Sequence, residues 1–227
     1  KNIINSKKPL IILGQSFLKT KSAKYLFHSF KKFLMKNNKF TESWYPLNVL
    51  SINASTVGSF DLDIVDEKNK VLDDLKNNKF EIVYLLGQDD IDFVRKKEFI
   101  IYQGSHGDKG AEIADIILPG GAYTEQSAHY TNLEGKIQKA YKASYPPGDA
   151  KEDWQIINEI AEIINNRKLF NDKDELESSM FNYLKLKKEK QKEILNQSID
   201  PKEFEDEVLK VEFKDYYFSN VIAKASK

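Results

Sequence analysis

Residues 102–138 read YQGSHGDKGAEIADIILPGGAYTEQSAHYTNLEGKIQ. Six of the ten glycines of the chain fall here, with two of its three histidines. A short apolar run at 113–118 is stopped by Pro119, Gly120 and Gly121. The polar residues keep neither a helical nor a strand period. The spacing therefore predicts mostly loop around two short elements. A long ordered loop inside a compact domain is commonly functional or covers a sheet edge.

The elements on either side set the fold class. Residues 80–87, FEIVYLLG, form the strongest strand signal and are almost continuously apolar, as a central parallel strand would be. Residues 99–103, FIIYQ, read as the next strand, and 113–118 holds another. Nearer the start, residues 9–14, PLIILG, read as a buried strand ended by glycine, and 47–50 as a further one. Between them, 22–35 is an amphipathic helix: Ala23, Leu26, Phe27, Phe30, Phe33 and Leu34 recur at helical spacing, with lysines opposite. His28 borders that apolar face and reads as an ordinary boundary histidine. Residues 53–60 read as loop or short helix broken at Gly58, and 71–79 as a second amphipathic helix. Strands alternating with helices predict βαβ units and a right-handed, mostly parallel sheet.

Downstream, Pro146, Pro147 and Gly148 make an extended hinge. Asp149 is placed to cap a helix, with Glu152 three residues on in capping-box spacing. Trp154, Ile157, Ile160, Ala161 and Ile164 would form one face of it, and acidic residues open it. Residues 171–198 read as a lysine- and glutamate-rich helix anchored by Leu176, Met180, Leu184 and Ile194, and ended at Asp200–Pro201. It is a solvated helix or an extension lying on a neighbour. The aromatic tail at 213–218 docks on its own domain or on another chain. The expected domains are 1–165, α/β, and 166–227, a helical extension with the aromatic tail.

Composition narrows the function. Lys and Arg total 35 against 35 Asp and Glu. That balance argues for no nucleic-acid partner. With no cysteine, the chain forms no disulfide, thiolate metal site or cysteine-ligated iron–sulfur cluster. Only Arg95 and Arg167 are arginines. The lysine excess reads as A+T-rich coding or as an anion-binding surface. No apolar run approaches the roughly 18–20 residues that span a bilayer, so no direct membrane span is expected. The chain starts at Lys1 without a methionine or an arginine-rich leader. Either a leader and preceding domain are missing, or this is a processed or separately encoded half.

Several residues could carry chemistry. Gly104, Gly107 and Gly110 follow a strand, so their backbone N–H groups could approach a phosphate. The spacing is neither GxGxxG nor a Walker loop, and it reads first as a tight turn with left-handed backbone. His106, Asp108, Glu112 and Asp115 resemble a ligand set, although their spacing fixes no coordination geometry. Asp108 serves better as the cap of a short element at 110–114. Glu125 and His129, four apart, would meet as a hydrogen-bonded pair on a helix. Asn132, Glu134 and Gly135 read as a turn fixed by side-chain-to-backbone bonds. No serine, histidine and carboxylate set stands out as a triad, and no catalytic residue or metal site is expected.

The run GSHGDKGAEIADIILPGGAYTEQSAHYTNLEGKIQ resembles the C-terminal half of the 75-kDa-type large iron–sulfur subunit of respiratory complex I, a relative of molybdopterin oxidoreductases that has generally lost the cofactor. The likeness continues through Pro146, Pro147, Gly148 and the Lys151-Glu152-Asp153-Trp154 run. A second match lies at residues 213–217 with Ser226, and a weaker one at 8–14. Ser105 and Lys136 stand where the pattern carries His and Arg, and 168–210 looks private to this chain. The resemblance implies an α/β fold with a mostly parallel Rossmann-like sheet flanked by helices and a long ordered glycine-containing loop, to which the residues themselves add the helical, lysine-rich C-terminal extension. It also implies a vestigial cofactor loop at Gly104, His106, Gly107, Asp108 and Gly110. No cofactor is expected in this chain, and iron–sulfur clusters are expected in an N-terminal half or partner chain. The partners implied are that cluster-bearing half and other peripheral-arm subunits, on the matrix side of the mitochondrial inner membrane. The implied role is a non-catalytic scaffold supporting electron transfer from NADH to ubiquinone. The alternatives are a pterin- or nucleotide-binding oxidoreductase domain, or a structural adaptor.

Overall fold

A computed structural model describes the chain except residues 1, 52, 67–69, 90–93, 108, 191–203, 207–216, 219 and 227, with backbone alone at 15 and 188–190. It is a mixed α/β chain with parallel sheets flanked by helices. The chain divides into two units. The first comprises Lys1–Asp61, Tyr130–Ile137 and Lys185–Lys214, and the second Leu62–His129, Gln138–Leu184 and Asp215–Lys227.

The first unit contains α1 (Asn2–Asn5), β1 (Ile11–Gly14), α2 (Gln15–Leu18), α3 (Ala23–Lys36), β2 (Leu47–Leu50) and α4 (Thr56–Asp61). β1 and β2 pair in parallel, with Ile11 opposite Leu47 and Gly14 opposite Leu50. The Trp44 indole donates to the Pro9 carbonyl at 2.8 Å, holding the approach to β1. α3 has its predicted place and buries Ala23 and Leu34, while Phe30 and Phe33 remain partly exposed. The buried Ser22 hydroxyl, just before α3, donates to Glu205 O at 2.6 Å and accepts from Glu205 N at 2.7 Å. α4 runs through Gly58 without the expected break. A Cβ at Gly58 would lie 3.5 Å from Thr131 Oγ1, an ordinary contact, so nothing there requires a kink.

The second unit is built on α5 (Val71–Lys76), β3 (Ile82–Leu86), β4 (Phe99–Gly104), α6 (Lys109–Glu112) and β5 (Ile116–Pro119). The sheet order is β3-β4-β5, with both pairs parallel. The central strand is β4, not the apolar 80–87 run. Ile100, Tyr102 and Gln103 of β4 are fully buried, whereas β3 is an edge strand with Leu85 alone buried. Leu85, Ile100 and Tyr102 form the core, joined by Val83, Ala111, Ile113 and Ala114. Burying a side chain such as Leu85 or Ile100 stabilises the fold by about 2 kcal/mol. Asp115 ties β5 to β4: its carboxylate accepts from Ile100 N at 2.8 Å and from the Arg95 guanidinium. Those two donors hold its carboxyl below the usual range, against a smaller upward push from burial.

β6 (Ala128–Thr131) and β7 (Ile137–Ala140) form a two-stranded ribbon, and α7 (Asp153–Asn165), α8 (Lys173–Lys190) and α9 (Val221–Ala225) follow. The turn between β6 and β7 is held as expected. Asn132 Oδ1 accepts from Glu134 N at 3.0 Å and Lys136 N at 2.9 Å, and Gly135 takes φ +78°. Because 128–131 is a strand, Glu125 and His129 do not share a helix face. Glu125 instead accepts from Ala122 N at 2.9 Å, and His129 meets the Phe181 ring edge-on at 5.4 Å.

α7 starts later and buries a different face than its spacing predicts. Its N-cap is Glu152, not Asp149, and Gln155 reaches back to Glu152 N at 3.1 Å. Ile156 and Asn158 are buried, while Ile157 and Ile164 face outward. The buried Asn158 fixes the chain after the helix. Its Nδ2 donates to Phe170 O at 2.9 Å, and its Oδ1 accepts from Leu169 N and Phe170 N. In α8, Leu184 is buried. The expected end of that helix and most of the aromatic tail lie outside the described residues; Tyr217 is exposed.

Candidate functional site

Open parallel sheets take ligands at the carboxyl ends of their strands. Two adjacent strands of the second unit end in glycine-bearing turns. After β3 the chain passes through Gly87, Gln88 and Asp89; Gly87 sits at φ +59° and donates to Gln103 O at 2.7 Å. After β4 it passes through Ser105, His106 and Gly107. These turns and one side of α9, including Lys224, line a cleft of about 330 Å³.

The buried Tyr102 ring lies against this loop and explains its glycines. A Cβ at Gly104 would stand 2.4 Å from Tyr102 Oη, and one at Gly110 would stand 2.7 Å from Gln88 O and 2.9 Å from Tyr102 Cδ2. One at Gly107 would meet Ala111 Cβ at 2.9 Å. None of the three has positive φ. The expected left-handed turn is thus corrected: these glycines make room for close packing. Tyr102 Oη lies 2.9 Å from Asp89 Oδ2 and 2.6 Å from His106 O. The other Asp89 oxygen, Oδ1, is buried without a hydrogen-bond partner. Ser105 Oγ is 3.0 Å from His106 Nδ1.

Of the expected site residues, His106 and Gly107 line the cleft, and Gly104 and Gly110 pack behind it on Tyr102. Asp108 lies outside the described residues. Asp115 is engaged by Arg95 and Ile100, away from a ligand role. Among the described residues, no group of three or more His, Cys, Asp or Glu is arranged to hold a metal ion.

A second polar centre holds the loop after β5. Asp153, the first residue of α7, receives Gln103 Nε2 on Oδ1 at 2.8 Å and Gln126 Nε2 on Oδ2 at 2.9 Å. Gln126 also donates to Gly121 O and accepts from Asp153 N. Tyr84 donates its hydroxyl to Gln103 Oε1. Burial and then the Asp153 charge push the Tyr84 phenol above its ordinary value. A Cβ at Gly120 would stand 2.8 Å from Asp153 Oδ1, so this glycine lets the loop close on the carboxylate. Next to it, Glu152 accepts from Lys173 and from the Trp154 indole, and Lys173 also donates to Ser127 O at 2.6 Å. Every polar group here is matched to another, an arrangement that positions backbone.

The molybdopterin oxidoreductase family model matches residues 1–163. The chain belongs to the molybdopterin oxidoreductase family. Its resemblance to the 75-kDa-type subunits extends over its whole length, so residues 168–210, expected to be private to this chain, fall within the match. It is 36% identical over 236 residues to the NADH-ubiquinone oxidoreductase 75 kDa subunit of Reclinomonas americana, covering 100% of this chain and 34% of that protein. It is 40% identical over 170 residues to the mitochondrial NADH-ubiquinone oxidoreductase 78 kDa subunit of Candida albicans, covering 74% of this chain and 23% of that one. The mitochondrial 78 kDa counterpart of Neurospora crassa is 36% identical over 184 residues, covering 79% of this chain and 24% of its own length. The chain spans about a third or less of these relatives.

Within this molybdopterin oxidoreductase family chain, sequence reasoning missed Asp89, Lys224 and Asp153. A signal for Asp89 existed: a glycine ends a strong strand, and a carboxylate follows two residues later. Lys224, on a five-residue helix, has no local mark among so many lysines. Asp153 could be guessed as a first-turn acidic residue, but nothing pairs it with glutamines 27 and 50 residues away.

Proposed function

We propose that this chain is the non-catalytic scaffold portion of a 75-kDa-type large iron–sulfur subunit in the peripheral arm of complex I, supporting electron transfer from NADH to ubiquinone. The observation that carries this reading is the 36% identity with a 75 kDa subunit along the entire chain. On this reading the clusters reside in the cluster-bearing N-terminal half or a partner chain, since a chain with no cysteine has no thiolate to ligate them. The chain packs against that half and against neighbouring peripheral-arm subunits. Its setting is the matrix side of the mitochondrial inner membrane, in keeping with relatives whose names are mitochondrial. No helix among the described residues is long and apolar enough to cross a membrane.

The family name raises a pterin cofactor, and the donor set of the cleft does not fit one. The close approach that Gly104 and Gly110 permit is taken up by the Tyr102 ring, and that of Gly107 by Ala111. Asp89 lines the cleft together with Lys224, and its Oδ1 is buried without a hydrogen-bond partner. The scaffold role follows from rigidity. Electron tunnelling falls steeply with distance, so a part that fixes cluster spacing governs rate without touching an electron. The matched polar centre at Asp153 supplies that kind of stiffness.

Native mass spectrometry of the respiratory assembly tests the reading. The expected result is this polypeptide held with NADH–ubiquinone oxidoreductase subunits, with no stoichiometric flavin, iron or molybdenum on the purified chain. A stoichiometric pterin or metal on the purified chain would establish the cofactor-binding alternative instead.

A further inference from the structure

The three-stranded sheet of the second unit has two unlike faces. Register partners in parallel strands share a face. Val83, Leu85, Ile100 and Tyr102 stand on one face and carry the core. On the other, Ile82 is opposite Phe99, Tyr84 is opposite Ile101, and Ile101 is opposite Ile116. On the central strand this second face is covered at its carboxyl end, where Gln103 meets Asp153 at the start of α7. The remainder is open, with Ile82 64%, Leu86 51%, Ile116 44% and Phe99 43% exposed. No charged side chain stands among these positions.

Such a face does not stay in water. Parallel sheets occur almost only with both faces covered, and helices cover them. The patch also has the dimensions of a helix. Two strand spacings make it about 10 Å wide and four residue steps about 13 Å long. One α-helix is about 10 Å across, and about nine of its residues span that length.

We infer that an amphipathic helix, from the part of the 75-kDa-type subunit outside this chain, packs on the Ile82–Phe99–Ile116 face. The inference rests on the function proposed above. The absence of charge requires an apolar occupant. The rule that helices cover parallel sheets argues against a second copy laid sheet to sheet. The Reclinomonas americana relative has the chain to supply it, since the match spans only 34% of that protein.

The chain has no cysteine, so an Ile82→Cys variant gives a single thiol on this face. Asp149→Cys, at an exposed turn, is the control. Each full-length variant is labelled with a maleimide, alone and after co-expression with the unmatched part of the Reclinomonas americana 75 kDa subunit. Alone, both thiols label quickly. In the complex, labelling at 82 slows at least tenfold while labelling at 149 does not change. A complex in which position 82 labels as fast as in the free chain overturns the inference and leaves the proposed function standing. Slow labelling of the free Ile82→Cys chain, with a dimer in sedimentation, assigns the face to a second copy and also overturns it. Failure of the two parts to associate sinks the proposed function together with the inference.

Discussion

Gln103 and Asp153 lie 50 residues apart in sequence, and the Gln103 carboxamide donates to Asp153 Oδ1 at 2.8 Å. Gln103 is fully buried on the central strand. Through this bond the strand, the loop after β5 and the start of α7 become one unit. The glycine loop and the Glu152-Asp153-Trp154 run, which carry the family likeness, are two ends of one fastening.

Removing that carboxylate should be costly. Asp153→Ala leaves the amides of Gln103 and Gln126 short of an acceptor, and the expected loss is about 3 kcal/mol. Asp153→Asn should lose about half as much, because its carboxamide accepts from one glutamine and turns an N–H₂ toward the other. Urea midpoints of the two variants check this. A drop under about 1 kcal/mol for Asp153→Ala would mean that water takes the place of the carboxylate.

The glycines should differ by cause. Gly104→Ala and Gly110→Ala push a methyl into Tyr102 or Gln88 O, and each should cost about 1–3 kcal/mol. Gly135→Ala, at φ +78° with nothing within 4 Å, should cost only the backbone term, about 1–2 kcal/mol. Tyr102→Phe removes the oxygen nearest the Gly104 position, so Gly104→Ala should cost less in that background. A double-mutant cycle reads the difference, and strict additivity would contradict the packing account.

Asn158→Ala should loosen the connection between α7 and α8. Leu169 N, Phe170 N and Phe170 O all lose their partner, for an expected cost of about 2–3 kcal/mol. Limited proteolysis should then cut between residues 166 and 172 faster than in the unaltered chain. An unchanged cleavage rate would show that packing alone holds this segment.

Glu152 should give the fold a measurable acid dependence. Burial pushes its carboxyl up, but the Lys173 bond and charge, with Trp154 and Lys142, outweigh that and hold it below its usual value. An unfolded glutamate titrates near about 4.3. The ionised carboxylate therefore stabilises the folded state above that value, and the contribution disappears as pH falls through the lower folded one. Lys173→Met should flatten this part of the stability profile below about pH 5. Denaturation midpoints from pH 7 to pH 3 would disprove the assignment if both proteins declined in parallel.

The sequence patterns that proved readable are those set by local chemistry. The α3 stripe, the short apolar strands and the Asn132 turn all depend on neighbours within a few residues. What escaped depends on tertiary choice. An unbroken apolar run suits an edge strand as well as a central one, so β3 was misplaced and β4 undervalued. The α7 stripe through Ile157 and Ile164 is apolar, yet Ile156 and Asn158 are the residues buried, because backbone groups at 169 and 170 require the Asn158 amide. Glycine spacing announced a constraint in the loop but not its kind, which is the volume of Tyr102. The cleft was half visible: His106 and Gly107 came from the loop pattern, while Lys224 is brought there from the far end of the chain.

The distance in sequence between Gln103 and Asp153 also bears on synthesis. A ribosome adding about 5–20 residues per second needs roughly 3–10 s to travel from one to the other. During that interval the glycine segment is made without the carboxylate that will fasten it. The segment most characteristic of the family therefore cannot be fastened until the start of α7 has been made.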